Sequence, residues 1–114
     1  MGVERRKFPR IPVTLAVAYR SPFLTEPHPS VTRDVGAGGI RIFTAMPLEQ
    51  GTILKIDLQH PERQKLIHFT AEVMRSKPVN PPSREPGALP FEAALVFVSI
   101  TDVDRALVLK SGTR

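Results

Sequence analysis

The sequence predicts an all-β, mainly antiparallel fold with one short C-terminal helix, and three observations carry that prediction. Apolar and polar residues alternate with a period of two in several separate segments, the signature of half-buried strands. Clusters of proline and glycine divide those segments from one another. Helical spacing occurs only after Thr101. Five or six strands in succession with no βαβ alternation indicate an antiparallel barrel or a strongly bent sheet. At 114 residues the chain suffices for one modest core and is too short for two.

Each element can be justified in order. From Val13, residues Val13, Leu15, Val17 and Tyr19 alternate with Thr14, Ala16, Ala18 and Arg20, which predicts the first strand. Ser21 to Ser30 holds Pro22, Pro27 and Pro29 and reads as a loop, since proline fixes φ and lacks an N–H. In "VTRDVGAGGIRIF" the glycines 36, 38 and 39 predict a tight turn, with φ > 0 or a close backbone approach, leading into a strand from Ile40 to Thr44. "TILKIDLQ" alternates Leu54, Ile56 and Leu58 against polar neighbours, and "HPER" behind it suits a hairpin turn. "LIHFTAEVMRS" places Ile67, Phe69, Ala71 and Val73 on one face.

Residues 78 to 90, "PVNPPSREPGALP", contain five of the twelve prolines and predict a long, stiffened loop. "FEAALVFVSI" is apolar on both faces from Ala94 to Val98, as expected of a central strand covered on both sides. "TDVDRALVLK" then changes to helical spacing, with Thr101 as N-cap, Asp104 completing an imperfect capping box, and Val103, Ala106 and Leu107 on one face. About nine residues do not stay helical alone, so this helix has to pack on the sheet. The domain organisation expected is a flexible basic arm over residues 1–12, followed by a barrel domain with its helix over residues 13–110.

Hydrophobic residues make up 41% of the chain and charged residues 24%, ordinary values for a globular fold. The net charge of +5 points to an anionic partner. Residues 1 to 10 carry Arg5, Arg6, Lys7 and Arg10 against Glu4, a net +3 of that total. A nucleic-acid surface spreads its cations along a groove, whereas a tight cluster suits a compact anion. No apolar run approaches the roughly 18 residues that a membrane span needs, so no membrane span and a cytoplasmic location are expected. Absence of cysteine excludes disulfides and thiolate chemistry.

An enzyme needs a nucleophile, base or metal constellation, and none stands out. His28, His60 and His68 have no metal-ligand spacing, and His68 falls on the polar face of its strand. No serine lies in G-x-S-x-G. "GAGGIR" fails as a dinucleotide fingerprint, because Arg41 occupies the third glycine position and a strand follows where a helix is required. No catalytic residue, metal or cofactor is therefore expected. Arg6 and Arg10 flank Pro9, which disfavours a helix and presents two guanidiniums from an extended arm or turn. Planar guanidinium donors suit phosphate oxygens and guanine O6 and N7, so a ligand with phosphate and guanine would use both properties.

"RRKFPR", followed by "DVGAGG", a later "ALVF" and a short terminal helix, resembles the PilZ domain, a bacterial receptor module for cyclic di-GMP, over essentially the whole chain. Arg6 and Arg10 match its R-x-x-x-R signature. Asp34 and Gly39 match its D/N-x-S-x-x-G signature, with Gly36 in the serine position. The resemblance implies a six-stranded barrel whose N-terminal arm folds over the ligand. It places Arg6 and Arg10 on phosphate and guanine, Asp34 on a guanine edge, and the turn of Gly36, Gly38 and Gly39 beside the ligand. It also places Arg5 where a residue affects whether one ligand or an intercalated pair binds.

Two departures from the family pattern stand out: Gly36 lacks the serine hydroxyl, and Ala94 replaces a glycine common in the central strand. A neutral hydrogen bond contributes about 0.5–1.5 kcal/mol, so the missing hydroxyl should weaken binding roughly two- to tenfold. The alternative reading is a protein of the same fold that has lost nucleotide binding and acts only through an unidentified protein partner. It would use loop 78 to 90 or the apolar surroundings of the central strand. General nucleic-acid binding through the arm ranks last, because the few aromatic residues fall mostly at strand core positions and leave no stacking platform.

Overall fold

The computed structural model of the protein describes residues 10–22, 26–62 and 66–111. Seven strands, β1 (Ile11–Pro12), β2 (Ala16–Arg20), β3 (His28–Val35), β4 (Gly39–Thr44), β5 (Ile53–Gln59), β6 (Leu66–Pro78) and β7 (Phe91–Ser99), precede one helix, α1 (Asp102–Lys110). All pairings are antiparallel. Six strands follow one another as β3-β2-β5-β6-β7-β4, and β4 pairs back to β3, which closes the barrel. β1 lies outside this ring and continues along β3 beyond β2, with Ile11 opposite Val35 and Pro12 opposite Asp34. These two residues fall within the expected arm, yet they are bonded to the barrel.

Alternation produces the core directly. Leu54, Ile56 and Leu58 on β5, Ile40 and Ile42 on β4, and Ala71 and Val73 on β6 are fully buried, with Leu15, Val17 and Tyr19 beside them. Each large aliphatic side chain so buried contributes about 1.5–3 kcal/mol. Phe69 and Phe97 meet edge to face, 5.2 Å between ring centres, within this interior.

Bulges interrupt the regular pleat at places that matter for the outer surface. In β3 the pairing moves from Thr32 opposite Ile42 to Asp34 opposite Arg41, so Arg33 is an extra residue. In β6 it moves from Val73 opposite Leu95 to Arg75 opposite Ala94, leaving Met74 extra. A bulge sends two consecutive side chains to one side of the sheet. Between β1 and β2, the buried Thr32 hydroxyl donates to the Val13 carbonyl at 2.6 Å and accepts from the Leu15 N–H at 2.9 Å. It replaces the ladder bonds that the break in the strand removes.

Three expectations need correction. The loop expected to reach Ser30 ends earlier, since His28, Pro29 and Ser30 already pair with β2. A strand with a neighbour on only one side there tolerates a proline, because β4 engages β3 only from Thr32 onward. β7 is central, between β4 and β6, but its outer face is not covered: Val98 is 54% exposed, and Ala94 and Val96 are half-buried. The extra apolar residues of that strand line an external cleft instead of a second layer.

Helix α1 starts where expected, with the Thr101 hydroxyl accepting from the Asp104 N–H at 3.1 Å. It presents a different face, however. Val108 is fully buried and Val103 is 70% exposed. Leu107 packs against the core as expected, but with one fully buried residue in a helix of nine, periodicity has too little to fix the rotation.

Candidate functional site

The bulge in β3 puts Arg33 and Asp34 together on the outside of the barrel, while Thr32 and Val35 stay inside. Asp34 is only 4% exposed. Its burial is possible because two guanidiniums cover it. Arg10, just before β1, donates from Nη1 to Oδ1 at 2.9 Å. Arg41, its register partner on β4, donates to Oδ2 from Nε at 2.7 Å and also from Nη2. A carboxylate accepting three charge-assisted hydrogen bonds is held in position and ionised.

The network extends along the same face. Arg41 lies 3.7 Å from Glu92 on β7, and Glu92 is ion-paired with Arg33. Burial by itself would raise the pKa of Asp34, but the hydrogen bond and charge of Arg41, followed by those of Arg10, overcome it and hold the carboxyl below its usual range. The Arg41 guanidinium is raised in turn, chiefly by its hydrogen bond to Asp34.

Beside this network lies an open cleft of about 460 Å³, lined by Arg10, Gly38, Met74, Arg75, Ala94, Leu95 and Val96. Its size falls within the roughly 300–1,000 Å³ of small-molecule sites. The cleft combines an apolar floor from β7 with a basic residue from each of two separate segments. That combination suits a ligand with a flat ring and a negative charge.

The residues expected from the sequence divide into three groups. Arg10 and Asp34 are brought together in a direct ion pair. Gly36, Gly38 and Gly39 form the turn between β3 and β4, where the Gly36 N–H donates to the Gly39 carbonyl at 2.9 Å. Gly38 is exposed at the cleft, Gly36 is buried, and none of the three takes a positive φ. At Gly39 close approach decides the residue, since a Cβ there would stand 1.9 Å from the Leu95 carbonyl oxygen. Arg5 and Arg6 lie outside the described residues.

Sequence reasoning passed over Arg41, which holds Asp34, and Arg75, which lines the cleft. Arg41 occupied a failed glycine position in the dinucleotide test and was left there. The available signal was its alternation: it is the outward residue between Ile40 and Ile42, two buried ones. The remaining polar clusters are simpler. His68 is exposed and its Nδ1 lies 2.5 Å from Asp57 across the β5–β6 ladder. Among the described residues no group of three or more His, Cys, Asp or Glu side chains is arranged to hold a metal ion. No helix among them is long and apolar enough to cross a membrane.

Comparison with known proteins agrees with this architecture. A family model described as the PilZ domain matches residues 4–110. Among solved structures, the Bacillus subtilis inhibitor of motility MotI (DgrA) superposes with a TM-score of 0.75 at 21% identity, covering 96% of this chain and 50% of that one. The PilZ domain of YcgR from Escherichia coli, solved with cyclic di-GMP, gives 0.73 at 14% identity, with 96% and 89% covered. MrkH, described as a cyclic di-GMP-dependent transcription regulatory factor, gives 0.74 at 19% identity, with 95% and 49% covered. The chain thus spans about half the length of MotI and of MrkH. No curated protein sequence matches it.

Proposed function

Because the chain belongs to the PilZ domain family, a cyclic di-GMP receptor fold, we propose that this protein binds cyclic di-GMP at the cleft beside Asp34. It would order its N-terminal arm in doing so and signal through a protein partner. The observation that carries this reading is the Arg10–Asp34 ion pair at the edge of an apolar, basic-walled cleft on the outer barrel face. Arg10 and Arg6 are the phosphate and guanine donors, Asp34 accepts from a guanine edge with the Oδ1 lone pair that Arg10 leaves over, and the exposed backbone at Gly38 gives the ring room to approach. Arg5 occupies the motif position that bears on whether one ligand or an intercalated pair is bound. The role is that of a cytoplasmic, non-catalytic receptor without a cofactor of its own.

The test is isothermal titration calorimetry with cyclic di-GMP at two salt concentrations, comparing the parent with Arg10→Ala and with Arg6→Ala/Arg10→Ala. The parent should bind with a Kd of ~1 μM or below, with Arg10→Ala at least about tenfold weaker and the double variant silent. A charge-assisted contact of about 1.5–3 kcal/mol accounts for that loss. Unchanged affinity in the double variant would move the site elsewhere.

Gly36 supports a second reading, in which the barrel has lost nucleotide binding and acts by protein contact alone. A separate apolar groove of about 580 Å³ lies between loop 78 to 90 and the outer faces of β3 and β4, with Val31, Phe43 and Leu89 in its walls. A parent that ignores cyclic di-GMP, yet holds a partner in a manner dependent on that loop, would favour it.

A further inference from the structure

One lateral row of side chains crosses four strands on the outer face. Asp34 on β3 is opposite Arg41 on β4, Arg41 is opposite Ala94 on β7, and Ala94 is opposite Arg75 on β6. Arg41 and Arg75 therefore flank a residue whose side chain is one methyl group. The bulge at Met74 is what brings Arg75 into this row, directly beyond the inward-facing Val73.

Charge separates Arg75 from the other arginines here. Arg10, Arg33 and Arg41 are all ion-paired to Asp34 or Glu92. Arg75 is exposed and has no ion-pair partner among the described residues, yet it lines the same cleft as Arg10. The three paired arginines thus share two carboxylates, and Arg75 adds a positive charge with no ion-pair partner among the described residues. A cyclic dinucleotide carries two phosphodiester charges. Taking the cleft as its site, we propose that Arg75 is a ligand-binding residue that meets a phosphodiester from the β6 wall, across the Ala94 floor from Arg10.

Met74, 48% exposed beside it, supplies polarizable surface for the face of a base. The inference rests on the receptor reading above and adds a residue that neither signature motif contains. It also gives the bulge a purpose. A regular strand would place residue 75 on the same side as Val73, in the core, where an arginine has no counter-charge.

The experiment is a titration of the parent, Arg75→Ala, Arg75→Lys and Arg75→Glu with cyclic di-GMP, with thermal melting of each ligand-free variant as the folding control. Arg75→Ala should weaken binding about tenfold or more. Arg75→Lys should recover part of that, Arg75→Glu should weaken it further, and the differences should shrink at high salt. Melting temperatures without ligand should stay close to the parent's. Parent-like affinity in Arg75→Ala, with Arg10→Ala still defective, would overturn this inference and leave the receptor reading intact. A parent that does not bind cyclic di-GMP at all would overturn both.

Discussion

Asp34 is a nearly buried carboxylate whose two oxygens are both taken by guanidiniums, so its protonation state is tied to the stability of the fold. Its folded pKa lies below the unfolded value of about 3.9. Stabilisation from this group is therefore complete above about pH 4 and is lost as pH falls through the folded value, where the unfolded chain takes up the proton more readily. Urea unfolding followed from neutral pH downward should show the parent losing stability in that acid window. Asp34→Asn should be less stable at neutral pH and should have a flatter profile below about pH 4. An Asn variant with the parent's acid slope would show that other carboxylates carry the effect.

Among the elements, the junction of β1 and β2 depends on one hydroxyl. Thr32→Val keeps the shape of the side chain but leaves the Leu15 N–H and the Val13 carbonyl without their partner. Leaving a buried polar group unsatisfied costs about 1–3 kcal/mol, so a loss of about 2 kcal/mol or more is expected, read as a lower urea midpoint at unchanged slope. Amide exchange at Leu15 should speed up in parallel. The same junction shows what a sequence can and cannot display. Leu15, Val17 and Tyr19 were legible as a buried face because period two is a local property. The break between β1 and β2 was not, because Thr32, which fills it, lies on another strand. Arg33 and Met74 were illegible as bulges for the same reason: register belongs to a pair of strands. Asp34 and Arg10 were found through a family pattern, whereas Arg41 and Arg75 needed neighbours from β3 and β7 to gain meaning.

At the scale of the whole molecule, the candidate site exists only because the barrel closes. Asp34, Arg41, Ala94 and Arg75 come from four strands that become adjacent when β4 lies between β3 and β7. Gly39 guards that seam, since any Cβ would drive into the Leu95 carbonyl. Gly39→Ala should force β4 and β7 apart at a cost of about 3 kcal/mol or more, whereas Gly38→Ala, with nothing within 4 Å of the added carbon, should leave thermal melting nearly unchanged. Equal melting temperatures for the two variants would mean that the seam yields easily.

The two walls of the cleft also differ in readiness. Arg10 is tethered by Asp34 before any anion arrives, so much of its rotamer freedom has already been surrendered to folding. Arg75 has no such tether among the described residues and keeps its freedom until it meets a charge. An arginine side chain holds about 2 kcal/mol of rotamer entropy. Contacts on the Arg10 side are thus preset, and contacts on the Arg75 side are settled only on encounter. On the proposed reading one wall would act as a fixed jaw and the other as an adjustable one, a division that would let a single cleft take anions of differing width.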